Sequence, residues 1–364
     1  MRPLSDSQTA VPAQAPGPLF VISMWRSGSS LLYALLNKHP QVGLMYEADL
    51  MLLRPTFVKP GRFCDWAQRW QFWDKVFTRH SLNAEDFIQG ISDFPSAFAA
   101  VHKEYARRKG ATIWGDKSPN YYDRLKEMAE TFPQSRFIIV WRDPAGTANS
   151  ILRAGQSGNH YFKRRGATLR ALIGYGEFKK QVDWLVAHGK PVYQLSYEEL
   201  TANTPQIMRE VCSFLQIPYS DDLANLKGAD RSAIFGGDHH AFVKGDQIVA
   251  GQRPSIVADD LRRKITEYVA LWRARYAGDW PPFPRDAQST SAGLLTRALD
   301  RLAYRRIRAK DAFTRVCFSL VPLSLLQAFR ERKYRGEPAS SSGAKPKSSG
   351  DLGSPSKQVA AKEI

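Results

Sequence analysis

Cysteine is nearly missing from this chain, with three residues among 364, at positions 64, 212 and 317. They are too dispersed, and odd in number, for a disulfide framework or a metal-ligand spacing, so buried free thiols in a reducing compartment are expected. No grouping of Cys, His and acidic residues carries metal-site spacing, and no bound metal is expected. Residues 1–17 are rich in Pro, Ala, Ser and Gln and lack the apolar run of a signal peptide or membrane anchor. None of the seven asparagines lies in an N-x-Ser/Thr sequon. A cytoplasmic chain is the expectation. No helix-turn-helix, zinc or RNA-binding signature is present, so nucleic acid is not an expected partner. No internal repeat of 20–50 residues occurs.

Positive charge, by contrast, is abundant: the formal net charge is +17, and residues 291–364 hold 15 Lys and Arg against 6 Asp and Glu. A field of that sign concentrates phosphate, sulfate or acidic lipid near the surface. With 43% hydrophobic residues and nine Trp the chain has ample core material, and its length suits one large α/β domain with a tail.

Leu19 to Met24 is a short apolar run, fit for a buried parallel strand. A polar turn, Trp25 to Ser29, leads into Leu31, Leu32, Leu35 and Leu36 at helical spacing, until His39-Pro40 stops the helix. The same alternation returns at Arg136 to Trp141, followed by Asp143-Pro144 as cap and first helical residue. It returns again at Pro191 to Tyr197, ahead of a helix over about 205–215. Residues 111–114 are a fourth strand candidate. Helices are expected over roughly 84–109, 121–131, 167–188 and 259–276, and residues 219–257 read as an irregular Gly-containing loop. The pattern predicts an α/β fold: a P-loop-like parallel sheet covered by helices on both faces, with a basic helical extension at the C-terminus. The expected organisation is a disordered 1–17, a globular domain over 18–284, a basic amphipathic extension over 285–335 and a disordered 336–364. Within the extension, residues 294–310 and 313–329 read as two segments of a hairpin that could lie on an anionic membrane surface, with packing on the body or on a partner as an equal alternative.

Trp25-Arg26-Ser27-Gly28-Ser29-Ser30 joins the first strand to the first helix, where unpaired amides and the helix dipole favour an anion. Gly28 would let the backbone approach a phosphate, Ser27, Ser29 and Ser30 would offer hydroxyls, and Arg26 a fixed charge. A Walker A loop is disfavoured: Ser29 stands where its lysine would follow Gly28, and Ser23 stands in place of its first glycine.

These elements resemble the sulfotransferases that use 3′-phosphoadenosine-5′-phosphosulfate (PAPS), in the R-S-G-[ST]-[ST] form seen in carbohydrate and tyrosylprotein sulfotransferases. Two further segments fit the resemblance, Asp116-Lys117-Ser118-Pro119 and Tyr197-Glu198-Glu199-Leu200, and the likeness covers roughly residues 18–276. It implies a 5′-phosphosulfate site at Arg26, Ser27, Gly28, Ser29, Ser30 and Leu31, and a 3′-phosphate site at Arg142 and Ser150. It also implies an adenine contact at Tyr197, with Lys244 or Arg253 in the Gly-containing loop reaching the donor. PAPS would be a cosubstrate, with no resident cofactor. The general base would be Glu47, shortly after the second strand, with Asp116 as the alternative, and Lys117 and Arg26 would stabilise the leaving group. The acceptor, a hydroxyl or amine of a carbohydrate, glycolipid or metabolite, is not readable. Neither is the role of the aromatics between 57 and 73, which suit a helical core or a sugar-stacking face. Two other classes remain open: a P-loop nucleotide kinase, and a catalytically silent membrane-associated binding protein. His39, at a helix end, reads as structural.

Overall fold

The computed structural model describes residues 17–52, 80, 82, 93–159, 162–163, 166–234, 243, 245–248, 254–275, 294–322, 324–325 and 328. Lys244, Arg253, His239-His240, the aromatics between 57 and 73, Cys64 and the segments before 17 and after 328 lie outside them, as does the 84–92 part of the expected second helix.

Five parallel strands form one sheet in the order β2-β3-β1-β4-β5: β1 (Leu19–Ser23), β2 (Val42–Tyr46), β3 (Ile113–Lys117), β4 (Arg136–Trp141) and β5 (Val192–Ser196). The side chains of β1 alternate between two cores. Phe20 and Ile22 pack with Phe98, Phe132, Phe137 and Trp141. On the opposite face Leu19 and Val21 pack with Leu32, Leu35, Leu195 and Val211. Strands covered on both faces are mostly apolar, which is why β1 and β4 read as near-continuous runs.

The α-helices among the described residues are α1 (Ser29–Leu36), α2 (Phe94–Arg108), α3 (Leu125–Thr131), α4 (Pro144–Gln156), α5 (Ala167–Ala187), α6 (Tyr197–Ala202), α7 (Thr204–Leu215), α8 (Asp259–Arg275) and α9 (Leu294–Leu320), with 3-10 turns at Pro119–Tyr121 and Asp221–Ala224. At the start of α4, Asp143 accepts from the Gly146 amide at 2.8 Å, with Pro144 in the first turn. Such a cap contributes about 1 kcal/mol and fixes where Arg142 leaves the sheet. Because β1 lies between β3 and β4, the chain leaves it toward β2 on one side and reaches β4 on the other. The carboxyl ends of β1 and β4 therefore open a crevice at a topological switch point, where ligands of open α/β sheets bind.

Three expectations are corrected. β3 begins at residue 113 and runs through Gly115, Asp116 and Lys117, so the polar triplet lies within the strand and not in a loop after it. Tyr197 opens α6 and does not end a strand, because the Ser196 side chain caps the helix by accepting from the Glu199 amide at 3.0 Å. Residues 294–320 form one continuous helix, not the first arm of a hairpin; Asp311 and Ala312 are compatible with a helix, and the element stops just before Pro322. It packs on the body: Asp300 accepts from Lys264 at 2.8 Å and from Tyr268 at 3.0 Å, and Tyr304 meets the Tyr122 hydroxyl at 3.0 Å. Among the described residues no helix is long and apolar enough to cross a membrane, and no group of three His, Cys, Asp or Glu could hold a metal ion. Cys212 is a free, buried thiol.

Candidate active site

The turn after β1 is held by its own backbone. The Ser27 amide donates to the Met24 carbonyl at 3.2 Å, and the Leu31 and Leu32 amides donate to the Gly28 carbonyl at 2.9 and 3.2 Å. Arg26 has φ 64° and Gly28 φ 93°. Positive φ costs a non-glycine residue energy and marks a constrained turn. A Cβ on Gly28 would lie 2.2 Å from Cδ2 of Tyr197. Glycine is therefore required here by the tyrosine ring as well as by the backbone, and not only by the approach of a ligand. The Ser29 and Ser30 amides, first in α1, have no intrahelical acceptor, as at any helix N-terminus, whereas the Leu31 amide is already taken by the Gly28 carbonyl.

The three loop hydroxyls each meet another hydroxyl of the protein. Ser27, 1% exposed, faces the core and lies 3.0 Å from the Tyr175 hydroxyl. Ser29 meets the Ser23 hydroxyl at 2.8 Å, and Ser30 lies 2.7 Å from the Tyr46 hydroxyl. The expectation that these side chains would line the anion site is corrected for Ser27 and Ser29, which are buried on protein partners. Ser30 is half-buried, so what the loop presents is its amides, Ser30 and Arg26.

The two elements separated by more than a hundred residues meet here. Arg26 Nε donates to the Ser150 hydroxyl at 3.2 Å, and Arg142 Nη1 donates to the Arg26 carbonyl at 2.8 Å. The Arg142 guanidinium lies 4.2 Å from the centroid of the Tyr197 ring, a cation–π contact. Its Nε is buried with no hydrogen-bond partner among the described residues. Burial pulls the Arg26 guanidinium down to about 10, with the charge of Arg142 acting in the same direction while Tyr46 and Glu47 oppose it. Two neighbouring cations, one with an unsatisfied donor, favour an anion between them.

On the other side of the loop, β2 and β3 end together. Tyr46 is in register with Lys117, and the Glu47 amide donates to the Lys117 carbonyl at 2.8 Å. Lys117, 1% exposed, places Nζ 2.7 Å from Glu47 Oε1, 3.2 Å from Ser30 Oγ and 4.1 Å from the centre of the Tyr46 ring. Burial alone would lower the Lys117 ammonium, but the Glu47 carboxylate and Tyr46 together outweigh it and raise the pKa. Asp116, one residue earlier, faces the opposite side of β3. It is fully buried and accepts from the Ala48 amide at 3.2 Å and the Tyr121 hydroxyl at 2.7 Å, with His102 Nε2 at 3.9 Å. That environment removes it as an alternative base, since no substrate proton could reach it.

The sequence reading missed Asp49. It accepts from the Ser118 hydroxyl and, at 2.9 Å, from Asn120 Nδ2, while Asn120 Oδ1 accepts from Trp25 Nε1 at 3.0 Å. Burial first and the neighbouring Glu47 second push its carboxyl up to about 7, against the two hydrogen bonds. Glu47 and Asp49 both have positive φ, 51° and 57°. Two acids at i and i+2 just past a strand were the available signal. Tyr175 and Thr147 were also missed, and in α5 and α4 nothing separates them from ordinary core residues. His39 is a brace: Nδ1 accepts from the Gln41 amide at 3.1 Å and Nε2 meets the Pro218 carbonyl at 2.9 Å.

With the geometry in place, comparison with known proteins identifies the class. The sulfotransferase family profile matches residues 18–221, more than half of the chain. The chain belongs to the sulfotransferase family. It is 25% identical over 211 residues to protein-tyrosine sulfotransferase A of Caenorhabditis elegans, a match covering 56% of this chain and 50% of that protein; the chain spans about half the length of this relative. Among solved structures, the sulfotransferase domain of the Synechococcus PCC 7002 olefin synthase is 19% identical with a TM-score of 0.49, over 75% of this chain and all of that one. A mouse sulfotransferase complexed with PAP (adenosine 3′,5′-bisphosphate) is 15% identical with a TM-score of 0.42, over 73% of this chain and 87% of that one.

Proposed function

We propose that this protein transfers the sulfuryl group of PAPS to a hydroxyl or amine acceptor, with residues 18–284 as the catalytic unit. The observation that carries the reading is the convergence of Arg26, Arg142 and Ser150 at the carboxyl ends of β1 and β4. The Gly28–Leu31 turn, through those amides not already bonded within it, and Arg26 would hold the 5′-phosphosulfate. Arg142 and Ser150 would hold the 3′-phosphate, with Tyr197 beside the nucleotide. Lys244 remains a candidate donor contact.

The reaction is an in-line displacement at sulfur. The acceptor oxygen or nitrogen bonds to sulfur and its proton passes to Glu47, while the bridging S–O bond breaks and its electron pair stays on the departing PAP. Lys117, now paired with Glu47, would turn to the bridging oxygen as charge develops there, with Arg26 beside it. Opening that ion pair would free the carboxylate to act as base. Acceptor candidates are a carbohydrate, a glycolipid, a metabolite and, given the name of the nematode relative, a tyrosyl hydroxyl. A kinase reading has no lysine in the phosphate loop to support it.

The test is a thermal-shift and calorimetric comparison of PAP with ATP. PAP should bind and ATP should bind more weakly whether or not Mg²⁺ is present. Arg142→Ala should raise the Kd for PAP about 30-fold, as expected for loss of a charged hydrogen-bonding partner. Tight Mg²⁺-ATP binding with none of PAP would overturn the reading.

We extend the proposal to peripheral contact with an anionic membrane through residues 294–335. Leu299, Leu302 and Phe313 are 58%, 47% and 69% exposed on the outer face of α9, and Arg301, Arg305, Arg306 and Lys310 are exposed around them. Apolar residues framed by basic ones suit an acidic headgroup layer, each cation contributing about 1 kcal/mol near the surface. Co-flotation with phosphatidylserine-rich vesicles, but not with phosphatidylcholine vesicles, is expected, and Leu302→Glu with Phe313→Glu should abolish it. Equal behaviour on both vesicles would refute the contact.

A further inference from the structure

Behind the two anion elements lies a buried group of hydroxyls that the mechanism above does not use. Tyr175, on α5, is 1% exposed. Its phenolic oxygen lies 3.0 Å from Ser27 Oγ, 2.8 Å from Thr147 Oγ1 and 3.0 Å from the Arg142 carbonyl. A carbonyl can only accept, so the single phenolic proton goes to Arg142. The Ser27 and Thr147 hydroxyls must then donate into the two lone pairs of the phenol. All three contacts are hydrogen bonds only under this assignment. Burial holds the phenol well above its ordinary range, so it keeps the proton that the assignment needs.

The three partners come from both halves of the site. Ser27 lies between Arg26 and Gly28. The Arg142 carbonyl belongs to the residue whose guanidinium reaches Arg26, and Thr147 lies one helical turn before Ser150 in α4. The phenol thus bonds at once to the turn after β1 and to the start of α4. The ring itself is held from behind, 5.9 Å between centroids from Trp272 of α8. A Cβ on Gly176 would come within 2.8 Å of that indole, so α8 seats closely on α5 and leaves the phenol little room to move.

We propose that the Tyr175 hydroxyl is a positioning residue that sets the spacing between the two anion-binding elements, so that a ligand carrying both phosphates is favoured over one carrying either alone. This rests on the donor reading given above. A ligand with one phosphate engages one element and is indifferent to the distance to the other. A bisphosphorylated nucleoside must satisfy both, and its affinity depends on that distance being held in advance.

The experiment is calorimetric titration of the full chain with PAP, 5′-AMP and 3′-AMP, for wild type and Tyr175→Phe. Phenylalanine preserves the ring and its packing and deletes only the hydroxyl. The Kd for PAP should rise about tenfold, the scale of one to two lost buried hydrogen bonds, while the Kd for each monophosphate changes by less than about threefold. Thr147→Val, which removes one arm of the group, should cost PAP about threefold. Added to Tyr175→Phe it should cost nothing more, because its partner is already gone. An unchanged preference for PAP over the monophosphates in Tyr175→Phe would overturn the proposal, even if the melting temperature fell, since a purely structural role predicts that pattern. Should Tyr175→Phe not fold, Thr147→Val decides alone by the same preference. Failure of the wild type to bind PAP would instead overturn the donor reading.

Discussion

The two flanks of the β1 turn handle charge in opposite ways. Toward β4, two guanidiniums share one corner: Arg142 donates to the Arg26 carbonyl and stacks on Tyr197, and its Nε has no partner among the described residues. Toward β2 and β3, the charges are already matched, Lys117 against Glu47 at 2.7 Å, and the remaining acid, Asp49, is held by neutral donors from Ser118 and Asn120. A corner with two guanidiniums, in which Glu198 acts on the charge of Arg142 without an ion-pair contact among the described residues, lowers its energy by taking up an anion. A closed ion pair, nearly out of water, gains nothing from a ligand until one partner is drawn away, and removing either partner outright strands the other. Ser30 stands between the two, within reach of both Lys117 and Tyr46, so occupation of the α1 terminus and opening of the pair would be felt at one residue.

The largest expected effect breaks the second flank without touching the first. Glu47→Gln should reduce turnover by about a thousandfold, within the range for loss of a positioned base, while the Kd for PAP stays within about threefold of wild type. Single-turnover kinetics with labelled PAPS, beside calorimetry, would check both halves. Lost PAP binding would show that the flanks are not separable and that Glu47 is no base. A smaller effect sharpens the first flank. Gly28→Ala must place a methyl 2.2 Å from the Tyr197 ring at φ 93°, and should destabilise the fold by about 2–3 kcal/mol through overpacking and backbone strain. Denaturant melts would measure it, and adding Tyr197→Ala should restore part of the loss by clearing the ring. No restoration would place the conflict in the backbone alone.

What was legible before the structure follows the same division. β1, β4 and β5 are apolar runs because both faces are covered, and Asp143-Pro144 announces its helix by cap chemistry. Arg26 is conspicuous as a charge at a strand end, and the Arg142–Ser150 pair is legible through the family resemblance. The composition of β3 ends the expected strand at 114, three residues short of Lys117, because Gly115-Asp116-Lys117 is polar yet buried, and composition alone cannot distinguish a buried polar strand end from a loop. Tyr197 was assigned to a strand although Ser196-Tyr197-Glu198-Glu199 has the spacing of a capping box, with Ser196 also 2.9 Å from the Glu199 carboxylate. The unbroken α9 was hidden by the change from an arginine-rich to an apolar stretch within one helix. Tyr175 left no trace at all, because its role depends on three residues brought together by α4, α5 and the β1 turn.

The smallest effect concerns the acid of the matched flank. Asp49 has its carboxyl raised to about 7 from 3.8, by burial first and by Glu47 second. A carboxylate raised on folding makes the native state bind more protons than the unfolded chain between those two values. Its contribution to unfolding free energy therefore falls as pH rises through that interval, and is lowest above about 7. Asp49→Asn cannot titrate, yet it presents an amide to donors arranged for a carboxylate, so it should cost some stability at every pH. The informative quantity is the difference between the two proteins. From pH 5 to pH 8, wild type should lose on the order of 1–2 kcal/mol relative to Asp49→Asn, read from denaturant melts at several pH values. A difference that does not change over that interval would mean that Asp49 is already ionised at pH 5. The hydrogen bonds from Ser118 and Asn120 would then outweigh burial, and this flank would carry one more negative charge than the comparison assumes.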